Sequence, residues 1–222
     1  MLTPATPVCA YESSRSRSAG FASQARRYGQ IVTHRAFLKI GVIGTTAFAC
    51  HAIFVILSPA LFVEQFGYSL DEYAYVLLFY GLVNVVCGIV AARLARQFDI
   101  HRQIRIGTQL FACAGALMIL LATVAPPHAV AILCPMLFVS LGMNMIRPAS
   151  ATLAMALFES HAGTAAAVLG AMRFLVTGLL GVITSMIPVS KFDVMTLLIP
   201  ACAVTALLFA PRESCRSRAR QS

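Results

Sequence analysis

Residues 143–175 read MNMIRPASATLAMALFESHAGTAAAVLGAMRFL, from Met143 to Leu175. The stretch opens and closes on apolar sequence, carries Arg147-Pro148 near its start and Glu159 and His161 in its middle, and places Arg173 near its end. A greasy segment interrupted once by polar residues is the pattern of two helices joined at a membrane surface. Arg173 breaks that simple reading, because it falls inside the second apolar run. A charge at a bilayer centre costs at least about 2.5–3.5 kcal/mol, so such an arginine needs a reason.

The composition extends the membrane reading to the whole chain. Of 222 residues, 59% are hydrophobic and 11% charged, and mean hydropathy is +0.82. Soluble domains carry roughly a quarter charged residues, so lipid must replace water over much of this surface. Soluble α/β and all-β classes are excluded. The net charge of +9 would suggest nucleic acid in a soluble protein. Here the basic residues lie between and beyond the apolar runs, with no basic helix face interleaved with aromatics and no Trp at all. They read as orientation signals and as attraction to anionic lipid, so the lipid bilayer is the expected partner and nucleic acid is not. The seven cysteines show no CxxC spacing, and most sit in apolar runs as small hydrophobes. Neither a disulfide framework, nor a metal site, nor a cofactor is expected.

Six apolar segments approach the roughly 20 residues that cross a bilayer as helix. We place them at about 37–60, 73–92, 106–125, 129–146, 164–187 and 193–211. Only helices suit six such runs, since lipid leaves no partner for open backbone groups. Arg147-Pro148 is expected to end the fourth span, with proline closing or kinking the helix and residues 149–163 forming a connection. Before the first span, residues 1–35 are polar, Arg- and Ser-rich and poor in acids, which suits a disordered arm or a mitochondrial-type presequence. We read an uncleaved, disordered cytoplasmic arm over 1–35, a six-helix membrane domain over 36–211 and a basic cytoplasmic tail over 212–222.

Orientation follows from the ends of the spans. The arm and first turn carry Arg15, Arg17, Arg26, Arg27, Arg35 and Lys39. The second connection carries Arg93, Arg96, Arg102 and Arg105, the fourth carries Arg147, and the tail carries Arg212, Arg216, Arg218 and Arg220. These are 15 of the 17 Lys and Arg residues; the opposite side has only Lys191, and Arg173 lies within a span. The positive-inside rule therefore expects both termini in the cytoplasm.

Four polar side chains fall within spans: His51, Asn84, Asn144 and Arg173. All four are candidate substrate-pathway residues. Arg173 is near the inner boundary, so it either lines a pathway or snorkels to the interface. His51 is a packing residue or a proton carrier. No carboxylate lies mid-span. Gly81 and Gly88 share one face of the second span, and Gly163, Gly170 and Gly181 share one face of the fifth. Small residues at that spacing let membrane helices approach closely, so these five are expected helix-packing positions. No catalytic residue is assigned: HExxH, P-loop and GxGxxG patterns are absent, as is a GxSx nucleophile with a later in-membrane histidine, and the chain does not read as an enzyme.

Three local patterns occur together. Ser58-Pro59 ends the first span, Phe66-Gly67-Tyr68-Ser69 precedes the second, and Arg93-Leu94-Ala95-Arg96-Gln97-Phe98 follows it. With the Gly-rich fourth span, the Ala-rich loop and HAGTAAAVLGA at 161–171, they resemble the bicyclomycin-resistance (Bcr/CflA) drug antiporters of the major facilitator superfamily over about residues 25–210. The likeness is to the C-terminal six helices of a twelve-helix transporter. It implies an all-α membrane fold of six transmembrane helices, one half of the major facilitator fold, built as two inverted three-helix repeats. It also implies proton-coupled efflux of small amphipathic compounds or metabolites across the bacterial inner membrane. The expected partners are then the small-molecule substrate and a separate N-terminal half-transporter or a second copy. The rival readings are a truncated, non-transporting remnant and a six-helix protein of assembly or interaction.

Overall fold

A computed structural model describes residues 29, 31–124 and 127–209. The tail and nearly all of the expected basic arm lie outside them. Six long helices run α1 (Arg35–Pro59), α2 (Leu70–Ala95), α3 (Ile100–Val124), α4 (Ala129–Ala156), α5 (Ala162–Met186) and α6 (Lys191–Phe209), with no strand among the described residues. Each is long and apolar enough to cross a membrane. Short connections reverse the chain after each helix, so the start of α1 and the end of α6 lie at one end of the bundle. The α2–α3 and α4–α5 connections lie at that same end.

The packing shows two three-helix repeats. α1 packs on α4, α5 and α6, while α4 packs on α1, α2 and α3. Each triplet thus lends its first helix to the other. Three crossings per triplet invert the second relative to the first, which is what allows the exchange. The two exchanged helices are central: 56% of the α1 span and 61% of the α4 span are buried, against 11% for α2 and 22% for α5. The largest fully buried side chains include Phe54 and Phe62 of the first segment, Phe111 of α3 and Ile132 and Met136 of α4.

Pro59 does not stop the first segment. The chain continues as a π-helical turn over Ala60–Gln65. A proline lacks the N–H that would bond the carbonyl four residues back. That carbonyl, of Val55, instead accepts the Ser58 hydroxyl at 2.8 Å. Gly67 then takes a left-handed conformation (φ 72°) that turns the chain. Ser69 caps α2 in a reciprocal box with Glu72: the Glu72 N–H donates to Ser69 Oγ, and the Ser69 N–H donates to Glu72 Oε2 at 2.8 Å. The Phe66-Gly67-Tyr68-Ser69 pattern therefore has a local mechanical meaning.

One expected boundary is corrected. The fourth span does not end at residue 146, because α4 runs through Pro148 to Ala156. The residues after Pro148 (Ala149, Ala151, Leu153, Ala154, Met155, Ala156) are strong helix formers. The interruption is tolerated where side chains and neighbouring helices serve the freed backbone. Pro148 frees the Asn144 carbonyl, while about one turn further on Ser150 Oγ donates to the Arg147 carbonyl at 3.0 Å and Thr152 Oγ1 to the Pro148 carbonyl at 3.1 Å. Arg147 is consequently inside a helix rather than at its end.

Candidate functional site

Three of the four intramembrane polar residues meet at one place, between α1, α2 and α4. His51 Nδ1 lies 2.8 Å from the Tyr80 hydroxyl, which lies 2.9 Å from Ser140 Oγ. Asn84 Nδ2 is 3.3 Å from His51 Nε2, and Asn144 Nδ2 donates to Asn84 Oδ1 at 2.9 Å. Tyr80 and Ser140 are buried, while His51, Asn84 and Asn144 are partly exposed.

The direction of every bond follows from one backbone group. The Ser140 carbonyl only accepts, so Asn144 must turn Nδ2 toward it, at 2.8 Å. The second hydrogen of that nitrogen goes to Asn84 Oδ1, which turns Asn84 Nδ2 toward His51. Nε2 of His51 therefore accepts, and the neutral ring carries its proton on Nδ1, facing Tyr80. The tyrosine hydroxyl passes the polarity on to Ser140. A second proton on His51 would set two donors, Nε2–H and Asn84 Nδ2, against each other. Protonation of this ring is thus coupled to the amide contact between α2 and α4.

Arg173 stands apart from this network. Its Nη2 donates to Ser150 Oγ at 2.9 Å and to the Arg147 carbonyl at 3.2 Å, both on α4. Arg147 lies nine residues before the end of α4 and Arg173 eleven after the start of α5. At 1.5 Å per residue each is roughly 15 Å from the turn that joins the two helices. The two arginines therefore stand at matching heights on antiparallel neighbours. Gly44 of α1 makes room for them: a Cβ there would meet Ser150 Oγ at 2.5 Å and Arg173 Nη2 at 2.9 Å. The Arg147 guanidinium sits 5.6 Å from the Phe48 ring centroid.

Both arginines line a cleft of about 680 Å³. Its other walls come from small residues of α2 (Gly88, Ala91, Ala92, Ala95), from Gln103 of α3, and from Asn144, Met145, Pro148 and Ala151 of α4. Asn144 connects the two regions, belonging both to the polar network and to the cleft wall. Gln103 fixes the far end by donating to the Ala95 and Phe98 carbonyls at 3.1 and 2.8 Å, which satisfies acceptors left open where α2 stops. The cleft falls within the volume range of small-molecule sites.

A family model described as Major Facilitator Superfamily matches residues 4–182. The chain belongs to that superfamily. No curated protein and no solved structure matches it. The superfamily is one of membrane transporters, and the six helices, with their exchanged triplets, form one half of the Major Facilitator fold.

Within that superfamily fold the expected packing glycines separate. Gly81, Gly163 and Gly170 have nothing within 4 Å of an added Cβ, so no described residue packs against them. They lie on α2 and α5, the least buried of the described helices, where no other described helix covers them. Gly88 would meet only Asn144 Oδ1, at 3.5 Å, whereas Gly181 would meet Ile56 at 3.2 Å and does pack against α1. The tightest approach is between α3 and α4. There a Cβ on Gly107 would come within 3.0 Å of the Gly142 carbonyl, and one on Gly142 within 2.9 Å of the Gly107 carbonyl. Sequence reasoning missed Gly44, Gly107 and Gly142. It also missed Tyr80 and Ser140, though a signal was present: each precedes a singled-out asparagine by four residues, one helical turn, on the same face.

Proposed function

We propose that this chain is the C-terminal half of an efflux transporter of the bicyclomycin-resistance type, exporting small amphipathic compounds or metabolites by alternating access in exchange for protons. It acts in the bacterial inner membrane with both termini in the cytoplasm. The observation that carries this reading is the cleft of about 680 Å³ whose wall runs from Asn144 to Arg147 and Arg173. Asn84, Asn144 and Arg173 are its pathway residues. His51 is the proton carrier, because a second proton on its ring upsets a contact between two helices.

A substrate cavity between two halves needs the second half, and the little-buried α2 and α5 are the helices available to meet it. The test is accumulation of a fluorescent efflux substrate in pump-deficient cells that co-express this chain and an N-terminal half from a related transporter. Reduced accumulation, reversed by Asn84→Ala or by collapsing the proton gradient, is the expected result. Unchanged accumulation with both halves present in the membrane overturns the proposal.

A further inference from the structure

We infer that the cleft selects an organic anion: an amphipathic compound whose carboxylate is held by Arg147 and Arg173. This deepens the transport reading and rests on it. Two guanidinium groups face one cleft, and both stay charged at any physiological pH. Among the described residues none that lines the cleft is acidic, and neither arginine forms an ion pair. Two like charges in a cavity of low polarity are poorly screened, and an anion entering between them relieves both. A cation entering there adds a third like charge.

Arg173 is also prepared to receive an acceptor. Its Nη2 is occupied by Ser150 and by the Arg147 carbonyl, which fixes the plane of the guanidinium. Its Nε is buried without a hydrogen-bond partner. An orphaned charged donor is costly, and a carboxylate is the acceptor that a guanidinium fits best. Arg147 is steadied over Phe48 while its side chain stays exposed. Apart from Gln103 and Asn144 the remainder of the wall is apolar, with Ala91, Ala92 and Met145 placed to take the body of the molecule. Charge at one end and small apolar surface at the other specify an amphipathic anion.

The test uses the full chain together with the N-terminal half of the efflux assay, in nanodiscs of zwitterionic lipid, and three probes that share one fluorophore: dansylglycine (a carboxylate), its uncharged amide, and dansylcadaverine (an amine). The expected result is binding of the carboxylate about tenfold or more tighter than the amide, with the amine weaker still. Arg147→Gln and Arg173→Gln each remove that preference, and Arg173→Lys retains part of it, which separates lost charge from lost folding. Equal affinity for the three probes, binding of none, or a preference that survives both glutamine variants overturns the inference. Repeating the titration in discs that contain anionic lipid identifies the source of the anion. Competition by that lipid that disappears in the glutamine variants assigns the arginines to a headgroup and overturns the substrate assignment. Efflux is scored separately in cells, so a chain that supports efflux without the carboxylate preference loses this inference and keeps the transport reading.

Discussion

Asn144 of α4 donates to Asn84 of α2 across 2.9 Å, and its other amide hydrogen is held by the Ser140 carbonyl. The pair joins the two repeats: α2 belongs to the first triplet and α4 opens the second. It also fixes the tautomer of His51, two bonds away. A contact between neutral side chains therefore sets which ring nitrogen of His51 carries its proton.

Asn84→Ala removes the acceptor for Asn144 and the donor to His51 together. Interhelical hydrogen bonds in membranes contribute about 0.6 kcal/mol on average, so the thermal midpoint in detergent should fall by only a few degrees. Transport by the two-half complex should fall much further. His51→Phe should keep normal membrane levels while efflux loses its dependence on an imposed pH gradient. Efflux by the His51→Phe complex that follows the gradient as the parent does would remove His51 from the coupling.

Gly44→Ala should push Arg173 and Ser150 apart, since the new methyl would sit 2.5 Å from Ser150 Oγ. Overpacking of this kind costs about 1–3 kcal/mol. Gly170→Ala is the matched control, because an added Cβ there has nothing within 4 Å. Thermal melts of the two variants should differ, with Gly170→Ala at or above the parent. Equal losses would contradict the close approach of α1 to the arginine.

Alkaline phosphatase fused after Tyr68 should be active, and fused after His101 inactive. Tyr68 lies in the α1–α2 turn and His101 opens α3, so they stand at opposite ends of the bundle. Among the described residues Arg35, Lys39, Arg93, Arg96, Arg102 and Arg105 lie toward the His101 end, and this bias sets the expected direction. The reverse activity pattern would invert the topology.

Expressed by itself, the chain should insert in the membrane and leave drug accumulation unchanged. The cleft has walls from α2, α3, α4 and α5, and Gly81, Gly163 and Gly170 of α2 and α5 meet none of the described helices. A second copy would present the same surfaces, without the distinct residues of a partner half. Robust efflux from cells that hold this chain and no added half would favour a functional homodimer.

The amino-acid sequence by itself determined the solvent, the number of helices and the charge bias that orients them. Each depends on counts and run lengths, which lipid reads without regard to neighbours. It also marked His51, Asn84, Asn144 and Arg173, because a polar group in an apolar run is costly wherever it points. Tertiary structure decided the rest. Whether Asn84 meets His51 depends on how α2 rotates against α1, and a helix apolar on all sides carries little periodic signal to fix that rotation. The same gap hid the glycines: spacing shows which ones share a face, whereas the partner of that face is chosen by packing. Gly107 and Gly142 face each other across α3 and α4, while Gly81 and Gly170, equally well spaced, face none of the described helices. Pro148 read as a helix end because proline lacks a donor. The folded chain runs through it, since the residues that follow are strong helix formers and α4 is the most buried of the described helices, held by its neighbours.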